Sequence, residues 1–286
     1  MPSSKHLFRQ LLSDLSPDLP EAEREAMTFM LLDHFGISTT DVLTGREIDS
    51  GIIQQLNAMV SRVNNHEPIQ YVLGYAWFHG LRLKVDPSVL IPRPETEGLV
   101  ELVLDRFKEQ EDIRVSDLCT GSGAIAVALA NSRPGWLITA TDFSTDALQT
   151  ARSNAAEQRV VINLILHDAL SAIPPVQGSF HAIVSNPPYI PLSEKSTLAE
   201  HVVAHEPSMA LFTADAAGME FYQAIARIAM QCLAPSGLLA VEIHERGAAA
   251  VAKIFTDTGF SSVEVIKDQF GKDRYVTALS AKGKPA

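Results

Sequence analysis

The chain has 286 residues, of which 46% are hydrophobic and 20% charged, and its formal net charge is −11. This length suits one large domain with a substantial core, or a large domain and a small one. No apolar run reaches the roughly 18 residues that span a bilayer, no signal-peptide core follows the start, and the acidic balance argues against broad nucleic-acid binding, so a cytoplasmic protein without membrane attachment is expected.

The first 75 residues carry helical signals. Ser3 and Ser4 are suitable N-caps for a helix through Leu15, and Pro20 opens a second helix that stops at Gly36. These helices predict a small bundle whose apolar stripes form a core; a partner-binding groove is the alternative for any one stripe. A third apolar stripe at helical spacing contains Ile52, Leu56, Met59, Val60 and Val63.

Between residues 71 and 87 the pattern changes from helical to alternating. Leu81, Leu83 and Val85 point one way along a strand, and His79-Gly80 supplies a turn, so a β-hairpin is expected. The next segment, IPRPETE at residues 91–97, has two prolines around Arg93. They forbid a regular helix and stiffen the chain, and a helix from about residue 96 to residue 108 follows.

From residue 113 onward, predicted strands and helices alternate. Such alternation predicts an α/β domain with a mostly parallel, doubly wound sheet. The last two strands are expected to form an antiparallel pair joined at Gly271, followed by a frayed tail at residues 282–286. The predicted strands are 114–118, 137–141, 160–166, 181–185, 238–243, 262–267 and 274–280, and the predicted helices are 124–131, 145–158, 219–233 and 248–258.

A glycine-rich turn follows the first of these strands. Gly121 and Gly123 let the backbone turn sharply and approach a ligand, and Ala126 lets helix and strand pack closely. Asp142 ends the next strand, where its carboxylate can bridge the two hydroxyls of a ribose. Together these features predict a site for an adenosine-containing cofactor. Taken singly, an unliganded turn and a helix-capping acid are the alternatives.

The loop alone does not separate NAD from S-adenosylmethionine. NAD binding favours a third small residue, which Ala126 can supply, but it has no need for the acidic Asp117 before the turn. His167-Asp168 closes the third strand, where the carboxylate could accept a hydrogen bond from the adenine amine or simply face solvent. The two cysteines lie far apart without ligand spacing, so neither a metal site nor a disulfide is expected.

The loop Asn186-Pro187-Pro188-Tyr189 follows the fourth predicted strand. The side-chain carbonyl of Asn186 and the backbone carbonyl of Pro187 can accept hydrogen bonds from both N–H groups of a planar amide or aromatic amine. Those bonds strengthen as positive charge builds on the nitrogen during methyl transfer. The prolines stiffen the loop, and Tyr189 can lie against the planar group. The loop therefore predicts methylation of a planar nitrogen; a proline-stiffened structural loop is the alternative.

Four segments resemble, in order and spacing, the bacterial peptide chain release factor glutamine methyltransferases: EPIQYVLG at 67–74, IPRPETE at 91–97, DLCTGSGAIA at 117–126 and NPPYI at 186–190. The resemblance implies an S-adenosylmethionine-dependent enzyme, with S-adenosylhomocysteine as product. Its substrate would be the side-chain amide of the glutamine in the Gly-Gly-Gln tip of class 1 release factors. The implied architecture is a helical substrate-docking domain at 1–75, a hairpin linker at 76–92 and a seven-stranded Rossmann-like methyltransferase domain at 93–286.

The same resemblance assigns functional residues. The catalytic group is expected to be Asn186, Pro187 and Tyr189, and Pro188 joins them in binding substrate. The segment 93–96 is expected to lie over the cofactor. Cofactor contacts are expected at Asp117, Thr120, Gly121, Ser122, Gly123, Ala124, Asp142, Asp168, Ala169 and Asn186.

Three positions depart from the family pattern. Cys119 stands where the family usually has glycine, Ala169 where an aromatic residue often packs on adenine, and His205 where tyrosine is more common. The main alternative function is methylation of the exocyclic adenine amine in DNA or RNA, which offers the Asn186 loop the same planar NH₂ group. The net acidity and the lack of an inserted basic segment argue against it. A catalytically silent module that only binds a partner is a third possibility.

Overall fold

The computed structural model describes residues 3–171, 173–175 and 178–281. The chain divides into two compact units, Met1–Tyr75 with Ala199–His205, and Ala76–Leu198 with Glu206–Ala286. No sequence pattern indicated that Ala199–His205 joins the first unit. The division into 1–75, 76–92 and 93–286 stays a prediction, and the tail at 282–286 lies outside the described residues.

The first unit is helical, as predicted. Ser3 caps the first helix, since its Oγ accepts a hydrogen bond from the His6 N–H at 3.3 Å. Leu7, Leu31 and Leu56, one from each of the three longer helices, are fully buried in a common core. The apolar stripes are therefore core, and two short helices that the sequence did not reveal complete the bundle. The helices are α1 (Ser4–Asp14), α2 (Glu21–His34), α3 (Thr39–Thr44), α4 (Ser50–Asn64) and α5 (Ile69–Leu73).

The remaining elements alternate between strands and helices along the chain. A single 3₁₀ turn, Pro94–Thr96, leads into the first helix after the hairpin. In chain order the elements are β1 (Tyr75–Phe78), β2 (Leu81–Lys84), α6 (Glu97–Arg106), β3 (Arg114–Leu118), α7 (Ala124–Ser132), β4 (Leu137–Asp142), α8 (Thr145–Glu157), β5 (Asn163–Leu166), β6 (Phe180–Ser185), β7 (Ile190–Pro191), α9 (Glu200–His205), α10 (Ser208–Leu211), β8 (Phe212–Thr213), α11 (Glu220–Cys232), β9 (Leu233–Glu242), α12 (Ala248–Thr258), β10 (Ser261–Lys267) and β11 (Asp273–Leu279).

The second unit contains a seven-stranded sheet in the order β10-β11-β9-β6-β3-β4-β5. The five strands from β9 to β5 are parallel, and β11 is antiparallel to both β9 and β10. This arrangement confirms the predicted α/β fold and the antiparallel closing pair. The central strands β3 and β6 are buried along most of their length, as expected where helices cover both faces of a parallel sheet. The carboxyl ends of β3, β4 and β6 consequently lie along one edge.

The hairpin of β1 and β2 turns at His79-Gly80, where both residues have positive φ. Its second strand is fastened to α8, since the Lys84 N–H donates to Asn154 Oδ1 at 2.6 Å. Two other boundaries differ from the prediction. Strand β5 begins only at Asn163, because the chain first has to leave α8 through Arg159, which has a φ of 58°. The segment 190–213, unassigned from the sequence, forms β7, β8 and short helices.

Candidate active site

The glycine-rich loop lies between β3 and α7 and is bonded to β4. The Thr120 N–H donates to the Thr141 carbonyl at 2.9 Å, and the Gly121 N–H donates to Asp142 Oδ2 at 2.8 Å. Gly121 has a φ of 54°, and no atom lies within 4 Å of the position that a Cβ would occupy. The backbone here is therefore open to close approach by a ligand.

Gly123 has a different role from Gly121. Its φ is 79°, and a Cβ at this position would lie 2.9 Å from the Cβ of Ala151 in α8. The Asn154 side-chain amide also donates to the Ser122 carbonyl at 2.8 Å. Glycine is thus needed at 123 so that α8 can pack against the loop, and its predicted contact with a cofactor stays a prediction.

Asp117 is fully buried beneath the loop. The Thr120 hydroxyl donates to Asp117 Oδ2 at 2.5 Å, and burial raises the pKa of the carboxyl to about 7 against the effect of that hydrogen bond. Asp117 does not reach the cavity described next. It supports Thr120 from below, and its predicted direct contact with a cofactor stays a prediction.

A cavity of about 420 Å³ opens above the carboxyl ends of β3, β4 and β6. This volume lies in the range of about 300–1,000 Å³ usual for ligand sites. Pro187 and Tyr189 lie outside its lining, as do Asp117 and Gly123. The predicted site residues that do line it are Thr120, Gly121, Ser122, Ala124, Asp142, Asp168, Ala169, Asn186 and Pro188.

The charge of the cavity distinguishes the two cofactors that the loop left open. Among the described residues, its formally charged lining groups are Asp142, Asp168, Glu220 and Arg93. Arg93 is already paired, because its Nη2 donates at 2.5 Å to the carboxylate of Glu206, whose side chain is 1% exposed. The surplus of carboxylates suits a cationic sulfonium better than the two phosphates of NAD.

Asp142 is held in place for its predicted role. Its Oδ1 accepts a hydrogen bond from the Ser144 N–H at 2.9 Å, while Oδ2 accepts from Gly121. Burial raises the pKa of Asp142, and these two N–H donors oppose that shift. A carboxylate oxygen accepts more than one hydrogen bond, so both oxygens retain capacity for ribose hydroxyls.

Phe143 was missed from the sequence. It lines the cavity directly after Asp142 and is 60% exposed, an unusual position for a large apolar ring. Ala169, which also lines the cavity, has no ring, and Phe143 is one of three phenylalanines in the lining, with Phe212 and Phe221, that offer an aromatic surface for a flat adenine. The signal that could have revealed it is an aromatic residue immediately after the acid at the end of β4.

The Asn186 loop begins where β6 is fastened to its neighbour, since the Ser185 hydroxyl donates to the Leu118 carbonyl at 2.6 Å. Pro187 and Pro188 are buried and Tyr189 is half-buried. The Tyr189 ring centroid lies 6.2 Å from that of His244. Burial raises the pKa of Tyr189, so its phenol stays protonated and uncharged in the loop.

Behind Asn186 lies a hydrogen-bonded series that the sequence did not reveal. Asn186 Nδ2 donates to Thr96 Oγ1 at 3.1 Å, and the Thr96 hydroxyl donates to Glu242 Oε2 at 2.7 Å. Glu242 is 2% exposed, and burial raises its pKa to about 7. Glu242 is the last residue of β9, so nothing in its local sequence pattern marks it as a polar contact of the site.

Two absences within the described residues bear on other classes of function. No helix within residues 3–171, 173–175 and 178–281 combines the length and apolar character needed to cross a membrane. In that same part of the chain, no three His, Cys, Asp or Glu side chains are grouped so that they could hold a metal ion.

The chain matches two family models. Residues 6–74 match the PrmC N-terminal domain, and residues 100–213 match the Methyltransferase small domain. A solved methyltransferase structure from Pyrococcus furiosus superposes with a TM-score of 0.53 at 20% sequence identity, covering 77% of this chain and 97% of that one. This last likeness concerns the fold alone.

Full-length relatives are also similar in sequence. A protein of Bacteroides thetaiotaomicron named release factor glutamine methyltransferase is 38% identical over 275 residues, covering 95% of this chain and 97% of that protein. A protein of the same name from Streptococcus pneumoniae is 39% identical over 280 residues, covering 93% of this chain and 96% of that protein.

Proposed function

The chain belongs to the release factor glutamine methyltransferases, and from this premise we propose that it transfers a methyl group from S-adenosylmethionine to a release factor glutamine. The acceptor is the side-chain amide nitrogen in the Gly-Gly-Gln tip of class 1 peptide chain release factors. The observation that carries the proposal is the placement of Asn186 in the lining of the cavity, with its Nδ2 engaged by Thr96. Its Oδ1 accepts no hydrogen bond from the described residues and is available to the substrate.

Two acceptors of the Asn186 loop hold the reacting amide. Asn186 Oδ1 and the Pro187 carbonyl accept from the two N–H groups of the glutamine side chain, which turns its nitrogen lone pair toward the methyl group. As the nitrogen becomes positive, both hydrogen bonds strengthen, so they stabilise the transition state more than the ground state. The nitrogen then loses a proton to solvent, and the loop needs no general base before transfer.

The glycine-rich loop and the strand ends position the methyl donor. S-adenosylmethionine, when bound, supplies an electrophilic methyl group and leaves as S-adenosylhomocysteine. Asp142 would bind the ribose hydroxyls, residues 120–124 would hold the methionine portion, and Asp168 and Phe143 would flank the adenine. Because methyl transfer is an in-line displacement, this positioning accounts for much of the catalysis.

The nature of the partner is also part of the proposal. The formal charge of −11 supports a protein partner over a nucleic acid, since nucleic-acid binding depends on displacing counterions from phosphates. A helical first unit is a suitable docking surface for a protein. The cytoplasm stays the predicted location.

The function is tested by incubation with methyl-labelled S-adenosylmethionine and purified release factor, with unmethylated DNA in a parallel reaction. We expect label on the release factor and none on DNA, and a release factor whose tip glutamine is replaced by asparagine should remain unlabelled. Label on DNA, or equal labelling of the asparagine variant, contradicts the proposal.

Asn186→Ala tests the role of the loop. We expect turnover to fall by about 100-fold or more, because one of two transition-state hydrogen bonds is lost. The dissociation constant for S-adenosylmethionine, measured by calorimetric titration, should change little. Turnover close to that of the unmodified enzyme would remove Asn186 from the mechanism.

A further inference from the structure

Asn186 can act as an acceptor only if its side-chain amide has the correct orientation. The side chain is nearly symmetric in shape, and a rotation of 180° about its last bond exchanges the oxygen with the NH₂ group. In the exchanged orientation the NH₂ would face the glutamine NH₂, and two donors would oppose each other. Some other group has to fix the orientation.

We propose that Thr96 and Glu242 are positioning residues that fix the Asn186 amide with Oδ1 toward the substrate. The inference rests on the proposed function for its catalytic consequence, but not for the orientation itself. Neither residue takes part in the chemical step; both act through Asn186.

The donors and acceptors allow one orientation. A threonine hydroxyl has one proton to donate, and at a pH above the Glu242 pKa of about 7 the ionised carboxylate can only accept. Because Thr96 gives its proton to Glu242 Oε2 at 2.7 Å, its oxygen can only accept from the third member of the series. Asn186 must therefore present Nδ2 to Thr96, at 3.1 Å, and Oδ1 is left for the substrate.

Thr96 is itself held rigidly. Its N–H donates to the Arg93 carbonyl at 3.0 Å within the 3₁₀ turn, and the preceding carbonyl, that of Glu95, accepts from the Tyr275 hydroxyl. Gly98 packs directly against Tyr275, since a Cβ there would lie 2.1 Å from the hydroxyl oxygen. Tyr275 thereby holds the turn against β11, and Thr96 as a whole residue is only 5% exposed.

Glu242 is fixed at the other end of the series. It ends β9, which pairs with β6, the strand that leads into Asn186. The Tyr222 hydroxyl donates to the Glu242 carbonyl at 3.1 Å, which fastens this strand end to α11. The carboxylate is thus presented to Thr96 from inside the protein, where water does not compete for the hydroxyl proton.

Thr96→Val is the direct test, because valine has nearly the shape of threonine but no hydroxyl. Thr96→Ser keeps the hydroxyl, and Thr28→Val removes a buried hydroxyl in α2, where it bonds the Arg24 carbonyl at 2.8 Å. For each variant, kcat and KM with release factor, S-adenosylmethionine affinity and melting temperature are measured. The valine variant should lose kcat on the order of 10- to 100-fold, and because Thr96 also lines the cavity, any change in cofactor affinity should be far smaller than the loss of kcat. Thr96→Ser should restore most of it, and Thr28→Val should keep full kcat.

A double-mutant cycle separates positioning from a general structural effect. If Thr96 acts through Asn186, Thr96→Val should cost little further activity in the Asn186→Ala background. If Thr96→Val lowers activity by the same factor in the Asn186→Ala background as in the unmodified enzyme, or if it leaves kcat unchanged on its own, the inference is overturned. The proposed function stays intact in either case.

Proton exchange of the Asn186 side chain gives a test that does not depend on turnover, so it applies even if the release factor is not methylated at all. The side-chain NH₂ resonances of Asn186, identified by their absence in Asn186→Ala, should show slow proton exchange in the unmodified protein. They should exchange faster in Thr96→Val and stay slow in Thr96→Ser. Equally fast exchange in all three proteins would refute the fixed orientation, whichever substrate the enzyme uses.

Discussion

Cys119 gives a quantitative test of the loop geometry. Its φ is 59°, in the left-handed region, where a Cβ costs about 1–2 kcal/mol. Glycine avoids this cost, but it lowers the free energy of unfolding by about 0.5–1 kcal/mol relative to alanine, because it gives the unfolded chain more conformational freedom. Since Cys119→Ala and Cys119→Gly both remove the thiol, comparing them isolates the backbone contribution. We expect the glycine variant to be more stable than the alanine variant by about 0.5–1 kcal/mol.

Cys232 provides the matched control, because it is buried in the last turn of α11 and is not among the residues with positive φ. There the usual order should hold, with glycine less stable than alanine by about 0.5–1 kcal/mol. Urea unfolding of the four variants can be followed by tryptophan fluorescence. Both tryptophans, Trp77 and Trp136, lie in the same unit as the two cysteines. If glycine is the less stable residue at both positions, the strain argument for Cys119 is refuted.

Two further predictions concern pH and cofactor affinity. Burial raises the pKa of Glu242 from 4.5 to about 7 and that of Asp117 from 3.8 to about 7. Their protonated forms thus add stability at low pH that is lost as pH rises through 7. Urea unfolding should show stability falling between about pH 4 and pH 7, by about 3 kcal/mol at most for Glu242, and Glu242→Gln should flatten the decline. A flat profile in the unmodified protein contradicts this. Phe143→Ala should raise the dissociation constant for S-adenosylmethionine about 10-fold in calorimetric titration. Phe270→Ala, which removes a ring 68% exposed and outside the cavity, should not, and equal losses would show that Phe143 has no specific role.

The order of the large elements could be predicted because each depends on residues near one another in sequence. The apolar run of β6 and the position of β3 directly before the glycine-rich turn located both strands within a residue of their observed ends, and the helical period located α1, α2 and α4. The segment 190–213 could not be predicted in this way. Its strands β7 and β8 have two residues each and exist only through their mutual pairing, so no period had room to develop.

The residues that line the cavity at the strand ends were largely predictable, and the reason is topological. In a parallel sheet the ends of neighbouring strands share one edge, so residues placed at the ends of β3, β4 and β6 had to converge. The sequence pattern could not predict which residues of the loop face the cavity and which lie beneath it. Asp117 and Gly123 belong to the predicted loop, yet one lies beneath it and the other packs against Ala151, because alternate residues of a strand end and a tight turn face opposite directions.

The groups behind Asn186 are the part that no local pattern could supply. Thr96 and Glu242 are separated by 146 residues in sequence, and each looks ordinary where it stands: a threonine before a helix and a glutamate at a strand end. They meet because β9 pairs with β6 while α6 packs on the same sheet. A motif such as Asn186-Pro187-Pro188-Tyr189 specifies which atoms can accept from a planar nitrogen, but it does not specify which way the amide faces. That orientation is a property of the tertiary fold. Grafting the four-residue loop alone onto another sheet should therefore transfer the two acceptors but not the orientation of the amide, and so confer little of the methylation rate.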